Sequence, residues 1–370
     1  MKISGYQLFW LIFTMEFGMT AIFTVSPVVF LAKQDTWISI IIAALIGLFN
    51  TFVAVKVSLL YPEQTFVQYS QTILGKWLGT FILVPYFLMW LLVTGNVLRE
   101  YADFVFLALL SSTPLWCVIL IMLGAAVYVT YSGGLRGIGR CSEIIGPISA
   151  IGGILIIILS MKDWNWLRIL PVYYNTGAMH ILKGSLIPAS FLGESFLVVM
   201  LIAFLSKPQG AMIASLLGVL VASVAILAMT IVAILMFGPN LPAKFIYPLY
   251  SAVSFISVMD FIQNVDVLIV LLWIIGIFIK LSLYVFITSY GAAQLFRIKN
   301  WRHTIWFVAS IVFVISLLPR NTNDTMDFAK LWGSVIYPVN VIGIPLFIWM
   351  IGAVRKRKQM AIMGGNDDIR

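Results

Sequence analysis

Three ionisable side chains interrupt long apolar stretches of this sequence. Glu16 lies in the run 8–31, Glu194 in the run 181–205, and Lys280 in the middle of WIIGIFIKLSLY. If these runs cross a bilayer, each charge at its centre costs roughly 2.5–3.5 kcal/mol or more. Such a residue pairs with an opposite charge, lines a polar cavity or becomes neutral. Lys280 is therefore expected either to hold an anionic group of a bound molecule or to pair with one of the two glutamates.

The stretch 186–204 also contains residues that interrupt helices. Its sequence is LIPASFLGESFLVVMLIAF, with Pro188, Gly193 and Glu194 near the middle. A break in a membrane-spanning helix exposes backbone N–H and C=O groups, which need partners within the bilayer. The positive end of a half-helix suits a carboxylate, and free carbonyls suit an ammonium group or a cation. We predict a broken helix and a binding site around Leu192 and Gly193.

A second interruption is expected in the first apolar run. FTMEFGMTAIFTVSP contains Glu16, Gly18, Met19 and Pro27. Paired interrupted helices at matching positions are typical of a transporter site near the membrane midplane. The pair suits a zwitterionic amino acid, although a sugar or a nucleoside can use the same groups by hydrogen bonding. The alternative is that the glycines only allow close helix packing and that the prolines only kink the helices.

Two further sets of side chains are candidates for the walls of the site. Trp273, Gly276, Lys280 and Tyr284 are about one helical turn apart and share one helix face. Tyr86 and Trp90 also share a face, where they either line a pocket or pack in the core. The candidate ligand-binding residues are therefore Glu16, Gly18, Met19, Tyr86, Trp90, Leu192, Gly193, Glu194, Trp273, Gly276, Lys280 and Tyr284.

Composition defines the class of protein that must position these residues. The 370 residues are 62% hydrophobic and only 10% charged, whereas a soluble domain is about half apolar and about a quarter charged. Long uncharged runs predict an all-α integral membrane protein rather than a barrel. The net charge of +9 lies mostly in short loops and the tail, which indicates membrane topology and not nucleic-acid binding.

Ten transmembrane helices are predicted along the chain. They cover about 8–31, 37–60, 77–110, 114–131, 143–161, 181–205, 211–237, 266–295, 301–318 and 331–354. An even number of spans places both termini on one side. Segments on that side carry fourteen of the 23 lysines and arginines, and segments on the other side carry seven. This bias predicts cytoplasmic termini in a multi-pass protein of the cell membrane.

The ten spans divide into two halves of five. We predict one transmembrane domain over 1–370, made of a first repeat at 1–165, a second repeat at 178–354 and a basic cytoplasmic tail at 355–370. Because each half has five helices, the halves have opposite orientations, as in the inverted repeats of LeuT-like and other amino acid transporter folds.

Several kinds of chemistry are not expected. GGLRGIGR lies between two spans and lacks the strand–helix context of a phosphate loop. His180 and His303 have no partners at metal-ligand spacing, and no nucleophile is spaced with a base as hydrolysis requires. We expect no cofactor, no metal and no enzyme activity.

The sequence resembles the B subunit of spore germination receptors over nearly its whole length, from Tyr6 to Lys358. That family is the endospore germination permease branch of the amino acid–polyamine–organocation superfamily. The residues that carry the resemblance are YPEQTFVQYSQTILGKWLG at 61–79, REYADF at 99–104, LRILPV at 167–172, SFLGE at 190–194 and VLLWII at 270–275.

The resemblance implies a five-plus-five inverted-repeat fold in which helices 1 and 6 are unwound at the ligand site. It also implies a sensor of germinants, such as amino acids, nucleosides or sugars, in the inner membrane of a dormant spore. Such a subunit works with an A-type subunit and a lipoprotein C-type subunit, among membrane lipids. The family pocket corresponds here to Gly18, Trp90, Leu192, Gly193, Lys280 and Tyr284.

Three functions remain compatible with the sequence. The first is a germinant-sensing subunit that signals to partner subunits. The second is a proton-coupled amino acid transporter in which Glu16, Glu194 or Lys280 carries the proton. The third is a solute or water conduit within a larger complex. One fold serves all three.

Overall fold

The computed structural model describes residues 1–173, 176–256, 265–332 and 336–367, and its regular structure there is helical. The α-helices, numbered in chain order, are α1 Gly5–Ala32, α2 Thr36–Ser58, α3 Phe66–Leu74, α4 Lys76–Ala108, α5 Leu115–Ser160, α6 Ala178–Leu192, α7 Val198–Leu201, α8 Ala211–Phe237, α9 Pro248–Ser254, α10 Val265–Leu295, α11 Arg302–Leu317, α12 Thr322–Leu331 and α13 Ile344–Asp367. A π-helical turn, Pro338–Gly343, precedes α13.

Seven helical stretches of the described chain are long and apolar enough to cross a membrane. One of them, Gly5–Ser58, contains both α1 and α2, and another, Leu115–Asp163, contains the bent helix α5. The shorter apolar helix α11 supplies a further span. These helices account for the ten predicted spans. Residues 333–335 of the tenth predicted span and 368–370 of the predicted tail lie outside the described residues.

The connection predicted between the fourth and fifth spans is wrong in its length. Residues 135–142 were expected to form a loop, but α5 turns at the single residue Gly134 and is helical on both sides of it. Gly134 has φ +55°, a conformation that glycine adopts without steric cost. A Cβ atom there would also lie 2.9 Å from the sulfur of Met1. The single residue Gly134 therefore connects the two helical parts of α5 where a loop was expected.

The expected interruption of the first span is also absent, because α1 is one continuous helix. A Cβ atom on Gly18 would lie 3.8 Å from the carbonyl oxygen of Trp273 and 3.9 Å from the Cα of Gly276. Gly18 therefore serves the close approach of α1 to α10, which is the packing alternative. Pro27 lies within α1 and does not end it.

The first residues of the chain and the middle of α13 lie on one side of the bundle, called here the terminal side. The N–H of Ile3 donates to the carbonyl of Phe204 at 2.8 Å, beyond the end of the sixth span. Lys356, near the middle of α13, donates to the carbonyl of Leu60 at 2.9 Å, just after α2. The opposite, distal side holds the C-terminal end of α1 and the connection between α8 and α9. This arrangement agrees with an even number of crossings.

Candidate functional site

The predicted break in the sixth span is confirmed. Helix α6 ends at Leu192, the chain continues as a 3-10 segment over Gly193–Leu197, and α7 follows at Val198–Leu201. We call Gly193–Leu197 the span 6 break. Pro188 lies inside α6 without ending it, so the irregular backbone starts at the glycine.

Close neighbours explain why position 193 is a glycine. A Cβ atom on Gly193 would lie 2.2 Å from the ring of Tyr337, so no larger side chain fits there without displacing that ring. On the other side, Gly47 of α2 approaches Leu192 so closely that a Cβ atom would be 2.9 Å from the Leu192 Cβ. The hydroxyl of Ser195 donates to the Leu192 carbonyl at 2.8 Å, and this bond satisfies an acceptor that the break exposes.

The span 6 break carries a buried ion pair. Lys280 Nζ of α10 lies 3.1 Å from Glu194 Oε2, and the two side chains are 1% and 3% exposed. The Tyr284 hydroxyl, one turn further along α10, donates to the same carboxylate oxygen. Lys280 Nζ also lies 5.3 Å from the centre of the Phe191 ring. Of the two alternatives for Lys280, pairing with a glutamate is the one that the structure contains.

Glu16 provides a second carboxyl group beside this pair. It is completely buried in α1, and it lies close enough to Lys280 and Glu194 to interact with both electrostatically. The backbone N–H of Ser195 is also near it. Neither carboxyl oxygen, however, accepts a hydrogen bond of standard geometry from any described residue. Glu16 and Glu194 therefore both lie beside the charge of Lys280.

The residues predicted to share one face of α10 do so. Trp273 and Gly276 face Gly18 of α1, whereas Lys280 and Tyr284 face Glu194. One helix face thus contacts both the first and the sixth spans.

Other predicted site residues lie in packed surroundings. The Tyr86 and Trp90 rings have centroids 5.9 Å apart and are fully buried, and the Phe66 and Phe196 rings pack against Tyr86. The Tyr86 hydroxyl donates to the carbonyl of Asn340. Met19 and Leu192 are also buried in the hydrophobic core. The sequence had left core packing open for the aromatic pair, and the contacts favour it.

Three residues near the break were missed by the sequence reasoning. Tyr337 packs on Gly193 and accepts a hydrogen bond from Asn50. The hydroxyls of Thr51 and Ser195 are 2.7 Å apart. Asn50 and Thr51 are adjacent polar residues inside an apolar span, and that signal could have identified them. Nothing in the local sequence of Tyr337 indicates its contact with a segment almost 150 residues earlier.

A cavity of about 450 Å³ opens on the distal side of the bundle. Its walls come from the end of α1, from α6 and from the connection between α8 and α9, and Glu100 of α4 also lines it. We call it the distal cavity. A second, much smaller cavity of about 20 Å³ lies between Glu100 and Glu194, which is enough room for about one water molecule. Glu100 and Phe191 line both cavities.

An ion pair lies beside Glu100 in α4. Arg99 Nε lies 2.9 Å from Asp103 Oδ1, one turn further along α4. The guanidinium also donates to the backbone carbonyls of Ser316 and Pro319. These contacts tie α4 to the end of α11, and they direct the Arg99 charge away from Glu100.

These features define a polytopic membrane protein with a secondary-transporter fold, built around a broken sixth span. The structure of MhsT in complex with L-phenylalanine has a TM-score of 0.65 to this chain at 14% identity, over 95% of this chain and 88% of that one. The structure of Mhp1, a nucleobase-cation-symport-1 family transporter, has a TM-score of 0.59 at 15% identity, over 92% and 76%. The chain therefore has the LeuT fold.

The family is defined by sequence. The family model described as "Spore germination protein" matches residues 2–325. Spore germination protein KB of Bacillus subtilis is 25% identical over 377 aligned positions, which cover 97% of this chain and 96% of that protein. This chain belongs to the spore germination protein family of membrane permeases.

Proposed function

We propose that this chain is the germinant-sensing membrane subunit of a spore germination receptor. It binds a small nutrient, such as an amino acid, near the midplane, and the bound state biases partner subunits toward germination. The observation that carries the proposal is the buried Glu194–Lys280 pair at the span 6 break, in a chain of this family and fold. MhsT, which shares the fold, was crystallised with the amino acid L-phenylalanine.

The ligand in this proposal competes for the ion pair. A zwitterion offers a carboxylate to Lys280 and an ammonium group to Glu194 or Glu16, so binding exchanges one set of charge pairs for another. A ligand shifts the equilibrium between two conformations of the protein only by the difference between its affinities for them. In this proposal, the exchange of charge pairs gives the ligand a higher affinity for one conformation. The proposed ligand contacts come from spans 1, 3, 6 and 8, and they include the span 6 break and the α10 face from Trp273 to Tyr284.

The proposal extends to location and partners. The subunit lies in the inner membrane of the spore with both termini in the cytoplasm, where the basic residues 355–358 of α13 orient it. An A-type subunit and a lipoprotein C-type subunit receive its signal. The two five-helix halves, 1–165 and 178–354, act as inverted repeats around the site.

The test is a germination assay on spores that carry the double variant Glu194→Gln/Lys280→Met. This variant removes both charges and strands neither of them. We expect the nutrient response to be lost while the amount of protein in the membrane stays normal, and spores with the exposed-lysine variant Lys56→Met should respond normally. A normal response of the double variant would refute this site.

One observation favours proton-coupled transport of an amino acid as a second candidate function. Glu16 is a buried carboxyl group that accepts no hydrogen bond of standard geometry from a described residue, beside a glutamate that is already paired. Glu16 is therefore the group in this cluster that can most easily take up and release a proton. Uptake of a labelled amino acid into proteoliposomes, driven by a pH gradient and lost in Glu16→Gln, would establish transport.

A further inference from the structure

The distal cavity contains the carboxylate of Glu100, which makes no hydrogen bond to the ion pair at the break. Glu100 is 6% exposed. Its Oε1 accepts a hydrogen bond from Asn96 Nδ2 at 2.8 Å, whereas Oε2 has no hydrogen-bond partner among the described residues. The neighbouring cation Arg99 is paired with Asp103. Glu100 therefore has an acceptor free in a buried position, where an unmade hydrogen bond is costly.

The walls around this carboxylate are mostly apolar. The rings of Phe23, Phe30 and Phe191 and the side chains of Ile187 and Ile246 line the cavity. Its volume of about 450 Å³ is in the range of small-molecule sites, which are mostly apolar with a few placed polar groups. Aromatic rings also attract cations through their faces.

These walls disfavour a divalent metal ion. Ca²⁺ and Mg²⁺ take six or more oxygen ligands. Glu100 and Ser26 supply the only side-chain oxygens among the described residues that line the distal cavity, and the Ser26 hydroxyl already faces the carbonyl of Ala243 at 3.5 Å. An organic cation needs only one counter-charge and an apolar surface.

We propose that the distal cavity is an entry site for the ammonium group of an apolar amine, including the amino group of an apolar amino acid. Glu100 is the counter-charge, and the phenylalanine rings hold the apolar body. Glu100 and Phe191 also line the small cavity beside Glu194. A molecule bound in the distal cavity therefore lies next to the cavity that borders the span 6 break. The inference rests on the proposed function, since it assigns the class of ligand that reaches the same site.

The test is isothermal titration calorimetry on the purified full-length protein in detergent, with 3-methylbutylamine as the probe. Glu100→Gln keeps the size of the side chain and an acceptor for Asn96 but removes the charge. We expect its affinity for the amine to fall at least about tenfold, as for the loss of one charged hydrogen bond. Ala243→Phe, which fills the cavity from its loop wall, should weaken binding as well.

Two controls distinguish an effect of the Glu100 charge from an effect of any carboxylate substitution and from binding of the apolar body alone. Glu143→Gln removes a carboxylate that accepts a hydrogen bond from Gln7 and does not line the distal cavity, so its affinity should equal that of the wild type. 4-Methylpentanoic acid carries a similar apolar body on a carboxylate and should bind much more weakly than the amine. The inference is overturned if Glu100→Gln binds the amine as the wild type does, if the acid binds equally well, or if the wild type shows no binding up to about 10 mM, a free energy of only about −3 kcal/mol.

The same experiment distinguishes this inference from the proposed function. The double variant Glu194→Gln/Lys280→Met leaves the distal cavity intact and should still bind the amine. If it binds the amine and its spores germinate normally, the sensing site at the break is wrong while the entry site stands. If Glu100→Gln has no effect on amine binding while the double variant blocks germination, the entry site is wrong and the sensor stands.

Discussion

Removing the charge of Lys280 should destabilise the protein far more than removing both charges of the ion pair. The two side chains are 1% and 3% exposed and lie 3.1 Å apart, so bulk water surrounds neither of them. Breaking a buried pair by removing one partner costs about 3–5 kcal/mol, because it strands a charge. We expect Lys280→Met to cost about this much, and Glu194→Gln to cost less, because Glu16 remains beside the lysine.

The double variant should lose much less unfolding free energy than the two single variants lose together. Glutamine at 194 still accepts a hydrogen bond from the Tyr284 hydroxyl, and methionine fills nearly the volume of the lysine stem. Replacing a buried pair by uncharged groups of similar volume is often neutral. Because a near-neutral double variant cancels at least the cost of Lys280→Met, the expected coupling between the two sites is about 3 kcal/mol or more, at the top of the range for residues in contact.

The measurement is the free energy of unfolding of the purified protein in mixed micelles, for the wild type, both single variants and the double variant. Lys56→Met, the same substitution at an exposed position of α2, should change stability by less than about 0.5 kcal/mol. If the double variant loses the sum of the single losses to within about 0.5 kcal/mol, the two residues do not interact, and the ion pair is refuted.

Three further predictions concern the packing around the break. Gly193→Ala should lower the melting temperature, because its Cβ would lie 2.2 Å from the Tyr337 ring. Adding Tyr337→Leu should restore part of the lost melting temperature. An unchanged melting temperature of Gly193→Ala would contradict the contact. Gly18→Ala should be tolerated in both melting temperature and germination, since its Cβ finds ordinary contacts at 3.8 Å and beyond; a loss of germination at normal stability would point instead to a backbone role of Gly18 in binding. Thr51→Val removes the partner of the Ser195 hydroxyl and should cost about 1 kcal/mol of unfolding free energy, and a variant as stable as the wild type would show that this bond contributes nothing.

The sequence predicted the bundle well because apolar run lengths and loop charges report directly on membrane crossing. It also predicted the break in the sixth span, where Gly193 and Glu194 lie within one apolar run. The same reasoning failed for α1, because glycine is found both where a helix breaks and where two helices touch. Only the position of α10 against Gly18 distinguishes these cases.

Long-range contacts limited the prediction of the site. The spacing of Trp273 to Tyr284 defined a helix face, since helical periodicity is local. That periodicity could not tell whether Tyr86 and Trp90 line a cavity or pack with other rings. Tyr337 entered the description only through its contact with a segment distant in sequence, and no local pattern specifies such a contact.

The central claim is that the ion pair at the span 6 break reports a bound nutrient. The most direct measurement is a thermal-shift screen of amino acids, nucleosides and sugars on the purified protein, with the wild type and the Glu194→Gln/Lys280→Met variant side by side. A ligand that binds the folded state raises its apparent stability. We predict that at least one amino acid raises the melting temperature of the wild type and leaves that of the folded double variant unchanged. An equal shift in both proteins would contradict the claim.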